Sequence, residues 1–233
     1  MHEQNIRPWG EKVWEEKIKT QNELGVIHGG RFSKSKGMTD KQLNEIMEFL
    51  DKNVLPLIKK KGKILDAGVG PLARFSVEFA KRGYKIWGVD ISPTTLRYAQ
   101  GHIEKQKIKR IILIQDDLTR LDKINQKFDF IFCFGTFGHI PKILAIETLR
   151  TFNSKLNKNG LCLIHFWFSD EHSLLRKIRE LLYLTLHKIS MKMYKSFYVN
   201  CSYYSAEELN EMFNYSKFKL VNKTRNGLFL LKK

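Results

Sequence analysis

The stretch Lys63–Ser92 decides the fold and has the sequence KILDAGVGPLARFSVEFAKRGYKIWGVDIS. Its first apolar run predicts a strand that ends at Asp66, and a glycine turn follows, where a ligand can approach the backbone closely. Pro71 is predicted as the first residue of the next helix, since its missing N–H would be unpaired there anyway. Gly83 is predicted to cap the end of that helix. Lys85–Asp90 then predicts a second strand, so the stretch forms a nucleotide-binding βαβ unit.

The glycine turn fits two ligand chemistries. Residues 68–73, GVGPLA, match the dinucleotide fingerprint G-x-G-x-x-G/A, and Asp90 lies where an acid would bind a ribose. A diphosphate is bound by a helix N-terminus and by backbone N–H groups, because both attract negative charge. Asp66 beside the turn opposes an anion and favours a ligand that carries an ammonium or sulfonium group. Asp66 therefore favours a cationic ligand over a diphosphate.

At this point the sequence resembles the class I S-adenosylmethionine-dependent methyltransferases, whose first motif is D-x-G-x-G-x-G after a strand. Asp66, Gly68 and Gly70 match the motif, while Leu72 stands where the family has its third glycine. The resemblance implies that S-adenosyl-L-methionine is the cofactor and that the three matching residues hold its methionine end. The alternative is an acid-ended strand and a structural turn in a fold without a ligand.

The resemblance also implies how the rest of the cofactor is bound. Asp90, with Ile91 beside it, would bind the ribose hydroxyls. After the third predicted strand, an acid of the family binds the adenine amino group; Asp117 is favoured over Asp116 for this role, with Leu118 beside the ring. A solvated acidic turn is the alternative at that position.

The segment Gly135–Pro141, GTFGHIP, is predicted to line the ligand site. It follows a near-continuous apolar run typical of a strand buried on both faces, and ligands bind at the carboxyl ends of strands in such sheets. Gly135 is assigned to the cofactor side. His139 is the candidate to orient the acceptor or take its proton, since a histidine titrates near neutrality. The alternative is a histidine that only hydrogen-bonds the loop.

Two motifs of related enzymes are missing from the sequence. The segment Gly135–Pro141 does not contain [ND]-P-P-[YFW], with which family members hold a planar amino group for nitrogen methylation. No proline precedes Cys133, so this residue does not resemble the nucleophile of cytosine C5 methylation. Cys133 and Cys162 lie in apolar strand patterns and are predicted to be buried core thiols, and no metal site is predicted.

The resemblance implies a Rossmann-like α/β fold with a seven-stranded, mostly parallel sheet and helices on both faces. Residues 1–60 are predicted to form an N-terminal helical segment or lid, and residues 61–233 the methyltransferase domain. Within that domain, residues 170–200 are predicted to form a helical insert that covers the acceptor. The last strand pair is predicted at Lys217–Asn222 and Gly227–Lys232, joined by a hairpin turn.

The insert has an unusual composition. Residues 172–198 interleave apolar side chains with six bases and the single acid Glu180. An apolar face would cover a hydrophobic acceptor, and a basic face would hold an anionic group or make a peripheral membrane contact. The alternative is an ordinary amphipathic helix packed on the body of the domain.

The chain is strongly basic, with 41 Lys and Arg against 24 Asp and Glu and a net charge of +17. This charge favours anionic partners, RNA among them, whereas the alternative is a lysine-rich codon bias. No apolar run reaches the roughly 18 residues of a membrane span, and the N-terminus lacks an apolar signal core. A cytoplasmic location is therefore expected, and the sequence carries no signal for the oligomeric state.

Together these features predict an S-adenosylmethionine-dependent methyltransferase that acts on an O, N or C nucleophile of a small, hydrophobic or anionic acceptor. An RNA methyltransferase is the first alternative, favoured by the basic charge and disfavoured by the missing motifs. A non-catalytic cofactor-binding partner protein is the second, and a nicotinamide-dependent dehydrogenase is the third.

Overall fold

The structure is a computed structural model that describes residues 10–23, 38–168 and 202–233. The strands in chain order are β1 Lys63–Ala67, β2 Lys85–Asp90, β3 Ile111–Gln115, β4 Phe128–Cys133, β5 Leu156–His165, β6 Trp167–Phe168, β7 Tyr203–Tyr204, β8 Lys219–Lys223 and β9 Leu228–Lys232. The α-helices are α1 Glu11–Glu23, α2 Asp40–Asn53, α3 Arg74–Lys81, α4 Pro93–Lys105, α5 Lys142–Lys155 and α6 Ala206–Tyr215. Short 3₁₀ helices lie at Leu55–Leu57 and Phe137–His139.

Seven of the strands form one sheet in the order β3-β2-β1-β4-β5-β9-β8. The five strands from β3 to β5 are parallel, and β9 is antiparallel to both of its neighbours. This confirms the predicted seven-stranded, mostly parallel sheet and its final antiparallel pair. The strand order reverses between β1 and β4, which is where open α/β sheets bind their ligands.

Helices cover both faces of the sheet, because neighbouring side chains of the central strands point to opposite sides. Ile64 on β1 and Phe130 on β4 pack in the core beneath α2 and α3. Their chain neighbours, Leu65 and Ile131, pack in the core beneath α5 and α6. Both central strands are therefore buried on two sides, as the apolar run before Gly135 predicted.

Helix α3 begins later than the sequence predicted. Pro71 lies in a turn, and Ala73 adopts the left-handed conformation with a φ of 45°. A left-handed residue cannot continue a right-handed helix, so helical geometry begins only at Arg74. The prediction that Pro71 is the first helical residue is wrong. The prediction for Gly83 is confirmed, since this glycine follows the helix with a φ of 90°.

The cysteine prediction is confirmed for both described thiols. Cys133 and Cys162 are fully buried in the core beneath α5 and α6. Burial raises the pKa of both thiols far above its ordinary value, so neither forms a thiolate near neutral pH.

The predicted insert at 170–200, its peripheral membrane contact at 172–198 and part of the predicted lid at 1–60 lie outside the described residues. The chain enters and leaves the insert through a small parallel pair, in which Trp167 lies opposite Tyr203. Within the three described ranges, no helix is both long enough and apolar enough to cross a membrane.

Candidate active site

A cavity of about 1130 Å³ opens at the carboxyl ends of β1, β2 and β4. Its floor is formed by the turn after β1, and its walls by the loop after β4 and by the start of α3. Helices α1, α2 and α4 contribute side chains to the remaining walls. The cavity thus lies at the reversal of strand order between β1 and β4, where the sequence analysis expected the ligand.

Asp66 near the end of β1 is a buried acid on the cavity floor. Only 3% of the residue is exposed, and its Oδ2 accepts a hydrogen bond of 2.6 Å from Ser76 Oγ on α3. Burial raises the pKa of Asp66 to about 6, while the hydrogen bonds from Ser76 lower it and the charge of Asp90 raises it further. A carboxylate held in this way gains stability from a positive charge in the cavity.

The glycine turn brings the backbone to the cavity surface. Gly68 has a φ of 84°, and a Cβ at this position would lie 2.1 Å from Thr136 Oγ1, so no larger residue fits. Gly70 has a φ of 67°, and a Cβ there would meet no atom within 4 Å. Gly68 is therefore needed for packing, whereas Gly70 exposes bare backbone to the open space of the cavity.

Asp90 ends β2 and is joined to the same turn. Its Oδ2 accepts a hydrogen bond of 3.3 Å from the Gly70 N–H, and its Oδ1 accepts one of 3.1 Å from the Ser92 N–H. Burial raises the pKa of Asp90 to about 6, although these backbone hydrogen bonds lower it, and the nearby charge of Glu15 raises it. Two carboxyls with raised pKa values, Asp66 and Asp90, therefore face the cavity together.

The two acids after β3 have different surroundings. Asp116 is buried, and its two oxygens accept hydrogen bonds from the backbone N–H groups of Asp117 and Lys123 at 2.9 and 2.8 Å. Asp117 is half-buried and accepts one hydrogen bond of 2.8 Å, from the Thr119 N–H. Asp116 thus stabilises the turn itself. Leu118 lines the cavity, whereas Asp117 is not among the lining residues.

The loop after β4 carries the predicted acceptor residue. Gly135 has a φ of 67° with open space around its Cα, as at Gly70. His139 lies between two indole rings, with ring centroids 5.1 Å from Trp14 on α1 and 4.8 Å from Trp167 on β6. Both contacts are edge-to-face, which aromatic rings favour. Gly138 permits this arrangement, because a Cβ there would lie 2.6 Å from the Trp167 ring.

Helix α1 is held against α4 by the carboxylate of Glu15, a residue that the sequence did not single out. Glu15 accepts hydrogen bonds from Ser92 Oγ at 2.5 Å, from the Thr94 N–H at 2.9 Å and from Thr94 Oγ1 at 2.6 Å. These groups belong to the first turn of α4, where a helix favours negative charge. The pKa of Glu15 is lowered overall, because these hydrogen bonds and Lys19 outweigh the effect of burial.

Because Glu15 holds α1 against α4, three side chains of α1 line the cavity: Trp14, Lys17 and Ile18. Opposite them, the Arg74 guanidinium at the start of α3 donates to the Met38 carbonyl and to Asp40 Oδ1. This pairing holds the beginning of α2 beside the glycine turn. The periodicity of α1 predicted a helix but carried no signal for its partner, since Glu15 and Ser92 are 77 positions apart.

The structure brings most of the predicted site residues to one cavity. Its walls include the predicted residues Asp66, Gly68, Gly70, Asp90, Ile91, Leu118, Gly135 and His139. Asp117 directly precedes Leu118 in the chain and does not line the cavity. Two carboxyls, two open stretches of backbone and an aromatic mouth suit a ligand with a cationic centre, hydroxyl groups and a planar ring.

A family model described as a methyltransferase domain matches residues 39–223, which is most of the chain and includes every residue that lines the cavity except Met38 and those of α1. The chain belongs to the methyltransferase family. The resemblance carried by Asp66, Gly68 and Gly70 is thereby confirmed at the level of the family.

Curated relatives match parts of the chain. An uncharacterised protein of Rickettsia prowazekii is 31% identical over 123 residues, or 52% of this chain and 48% of that protein. The putative methyltransferase YqeM of Bacillus subtilis is 26% identical over 118 residues, covering 50% and 44%. The ubiquinone biosynthesis O-methyltransferase of Coxiella burnetii is 36% identical over 85 residues, 36% of each chain. The chain thus spans about half the length, or less, of these relatives.

Solved structures share the whole architecture at low identity. Magnesium protoporphyrin IX methyltransferase from Synechocystis PCC 6803, crystallised with bound SAH, has a TM-score of 0.65 at 16% identity, covering 95% of this chain and 98% of that chain. An S-adenosylmethionine-dependent methyltransferase from Clostridium acetobutylicum has a TM-score of 0.61 at 13% identity, covering 91% and 98%. This likeness shows the class I methyltransferase fold.

Proposed function

We propose that this protein transfers the methyl group of S-adenosyl-L-methionine to an O, N or C nucleophile of a small acceptor. The observation that carries the proposal is the pair of acids Asp66 and Asp90 on either side of the glycine turn. Their carboxyls face one cavity, and the pKa of each is raised to about 6. A cationic ligand with hydroxyl groups stabilises both in the ionised form.

The residues of the cavity fit this cofactor. Asp66, Gly68 and Gly70 would hold the methionine end, since the backbone at Gly70 is open and a carboxylate lies beside it. Asp90 and Ile91 would hold the ribose hydroxyls at the end of β2. The bound cofactor supplies a methyl group on a sulfonium sulfur.

Asp117 and Leu118 would hold the adenine, and Gly135 would pass beneath the cofactor. Leu118 supplies an apolar wall for a ring. For Asp117, the support is the hydrogen-bond pattern, because Asp116 is fully engaged by backbone donors whereas Asp117 accepts from Thr119 alone through Oδ1.

The acceptor would enter past the aromatic mouth formed by Trp14, His139 and Trp167. Edge-to-face contacts on both sides restrain the imidazole of His139. His139 would orient the acceptor or take the proton of its nucleophile, a role that histidines fill near neutral pH. The main contribution of the chain is to hold two reactants in line at near-attack distance, with α1 excluding water from above.

A small acceptor is favoured by the site and by the names of relatives. Trp14 and His139 line the cavity, Trp167 packs against His139, and Lys17 lies over the Trp14 ring at 4.2 Å, which suits an apolar acceptor with an anionic group. One relative that matches a third of the chain is named a ubiquinone biosynthesis O-methyltransferase, and a structural neighbour a magnesium protoporphyrin IX methyltransferase. Both names describe small acceptors.

The test uses methyl-labelled S-adenosylmethionine, the purified protein and a fractionated extract of its source cells. Label in the small-metabolite or organic fraction supports the proposal, provided that the variant Asp90→Ala reduces it. Label in RNA instead would overturn the small acceptor in favour of an RNA methyltransferase. Cofactor binding by calorimetry without transfer to any fraction would favour a non-catalytic partner protein, and binding of a nicotinamide cofactor instead would favour a dehydrogenase.

His139 is tested with the acceptor that this labelling identifies. If His139 takes the proton, His139→Gln should lower kcat by roughly 10²- to 10⁴-fold and leave cofactor affinity unchanged. If it only orients the acceptor, KM should rise more than kcat falls. An unaltered kcat/KM would contradict both roles and leave His139 as a loop residue.

A further inference from the structure

The edge of the sheet opposite the cavity carries a cation at every strand. At this edge lie the starts of the five parallel strands and of β8, together with the end of β9. The basic residue at each strand end, or next to it, is in sheet order Arg110, Lys85, Lys63, Lys127, Lys155, Lys232 and Lys219. All are exposed except Lys155, which is half-buried.

At the opposite edge of the sheet, beside the cavity, acids lie at or next to the ends of three strands. There Asp66 is the penultimate residue of β1, Asp90 ends β2, and β3 is followed directly by Asp116 and Asp117. A lysine-rich composition alone would distribute cations to both edges. Lys223 at the end of β8 is the single basic strand end on the cavity side within the described residues. Among the described strand ends, the cations are therefore concentrated at the edge of the sheet opposite the cavity.

Helix dipoles do not explain the row. Helices α3, α4 and α5 end near this edge, and their last turns contain Lys81, Lys105 and Lys155, which complement the negative ends of the helices. Strand ends have only small dipoles, so Lys63 and Lys85 have no such role.

Three cations of the row, Lys63, Lys85 and Lys127, line a recess of about 490 Å³ beneath β1 and β4. Five lysines line it together with Gln126, Asn157, Gly62 and one acid, Asp129, and these lysines are Lys59, Lys61, Lys63, Lys85 and Lys127. The two oxygens of Asp129 are engaged by the Lys63 N–H at 2.9 Å and by Asn157 Nδ2 at 2.8 Å. Five cations against one acid give the lining a net charge of +4.

None of these lysines forms an ion pair with a carboxylate of the described residues. Lys127 Nζ instead donates to the Ser154 carbonyl at 2.8 Å, and Lys63 Nζ lies 5.6 Å from the Trp87 ring centroid. Nearby, the pKa of Lys233 is lowered by partial burial and by the charge of Lys127. The ammonium groups repel one another at this edge and would be stabilised by an anion.

We propose that this amino edge of the sheet, centred on the lysine recess, binds the phosphate backbone of a double-helical nucleic acid. Neighbouring strands are about 4.8 Å apart, so a row across seven strands extends over about 29 Å. A duplex carries one negative charge for each ~1.7 Å of its axis, so the row faces several phosphates at once. The nucleic acid would be a partner on which the protein docks and would not enter the cavity, because the cavity with Asp66 opens at the other end of the strands.

The side chains favour a duplex over other polyanions. Single-stranded nucleic acid needs aromatic side chains on which bases stack, and none of the nine residues that line the recess is aromatic. A membrane surface needs apolar side chains to insert; within the described ranges Leu57 is the one exposed large apolar residue close in sequence to the recess lysines, and Ile112, Leu220 and Val221 are exposed only beside the outer cations Arg110 and Lys219. Lysines bind phosphates as point charges, and contacts to phosphates carry no sequence information.

The test measures binding of a short labelled duplex of random sequence, as RNA and as DNA, to the whole chain between about 50 and 200 mM salt. The recess variant replaces three lysines together: Lys61→Gln, Lys63→Gln and Lys85→Gln. The control variant removes the same charge at exposed positions away from this edge: Lys12→Gln, Lys41→Gln and Lys223→Gln. Vesicles containing phosphatidylserine and inorganic pyrophosphate serve as competing probes.

The wild type should bind the duplex with an affinity that falls steeply with salt. The recess variant should make the slope of log K against log salt shallower by up to about 2.7, or about 0.9 for each lost phosphate contact, while the control variant keeps most of the slope. If both variants lost the same amount of salt slope, net charge alone would explain duplex binding, and the proposal would be overturned. Failure to bind a duplex, or a recess-dependent preference for vesicles or pyrophosphate, would overturn it as well.

Discussion

The Gly70 N–H donates a hydrogen bond of 3.3 Å to Oδ2 of Asp90, which joins the glycine turn after β1 to the acid that ends β2. The two residues are 20 positions apart, with Gly70 in the turn after β1 and Asp90 at the end of the neighbouring parallel strand β2. Because this hydrogen bond is made within the protein, the position of the Asp90 carboxyl is fixed before a ligand arrives. The site is thus preorganised for hydroxyl groups at the end of β2.

Asp90→Ala should lower S-adenosylmethionine affinity by roughly 10- to 100-fold, because hydrogen bonds to a charged group contribute about 1.5–3 kcal/mol each. Calorimetric titration measures the loss, and thermal unfolding should show that the domain remains folded. Asp122→Ala is the matched control, since Asp122 is exposed, pairs with Arg120 and does not line the cavity. Unchanged cofactor binding in Asp90→Ala would exclude this residue from the cofactor site.

The two motif glycines should respond differently to alanine. Gly68→Ala should destabilise the fold by about 2–4 kcal/mol, because its Cβ overlaps Thr136 and its φ is left-handed. Gly70→Ala should cost only about 1–2 kcal/mol, since its Cβ meets open space, but should weaken cofactor binding strongly. Urea unfolding and calorimetry separate the two effects.

A third glycine provides the control for these variants. Gly101 lies within α4 with open space at its Cα and without a left-handed φ, so Gly101→Ala should stabilise the protein by about 0.5–1 kcal/mol. If Gly70→Ala unfolds the protein as severely as Gly68→Ala, the distinction between packing and ligand approach at the turn is wrong.

Glu15→Gln should release α1 from the cavity. The carboxylate accepts three hydrogen bonds at the first turn of α4, and an amide can accept at one atom only. Opening of α1 should become easier by about 1–2 kcal/mol, which hydrogen exchange of the α1 amides measures. Cofactor affinity should fall severalfold as Trp14 and Lys17 leave the wall.

The neighbouring variant Glu16→Gln serves as the control, since Glu16 is exposed on the same helix and does not line the cavity. Equal exchange rates in Glu15→Gln and the wild type would show that the contacts between α1 and α4 do not depend on this carboxylate.

Much of the fold was predictable because its signals are local. The end of β2 at Asp90 and the helix cap at Gly83 each depend on a few consecutive residues, and the structure has them where the sequence predicted, while β1 extends one residue beyond the predicted Asp66, to Ala67. Ser92 Oγ accepts from the Thr95 N–H at 3.0 Å, as an N-cap should. The seven-stranded sheet followed from the family resemblance that these local signals carried.

Other features were not predictable because they depend on distant partners. The role of Glu15 requires α1 to contact α4, and the contact of His139 with Trp14 and Trp167 joins three separate segments. Pro71 was misassigned because a general preference for the first helical position was outweighed by the left-handed conformation of Ala73. Tertiary context decided each of these positions.

The acids at the strand ends make a prediction about pH. Burial raises the pKa of Asp66 and Asp90 from 3.8 to about 6, so the folded protein holds protons that the unfolded chain has lost. Their contribution to the free energy of unfolding is therefore greatest below about pH 4 and is lost as the pH rises to about 6. A cationic ligand prefers the ionised carboxylates, so its affinity should change in the opposite direction.

Affinity for S-adenosylmethionine should accordingly rise between pH 5 and pH 7, by up to about tenfold for each carboxyl that titrates near 6. Asp66→Asn removes one of these carboxyls without changing the shape of the side chain. The rise in affinity with pH should then be smaller by the contribution of one carboxyl, up to about tenfold. Urea unfolding of the ligand-free proteins should show the complementary effect, in which the wild type loses stability relative to Asp66→Asn as the pH rises from about 4 to about 6. A parallel pH dependence in both proteins, for binding and for unfolding, would mean that Asp66 does not titrate there and is no sensor of the ligand's charge.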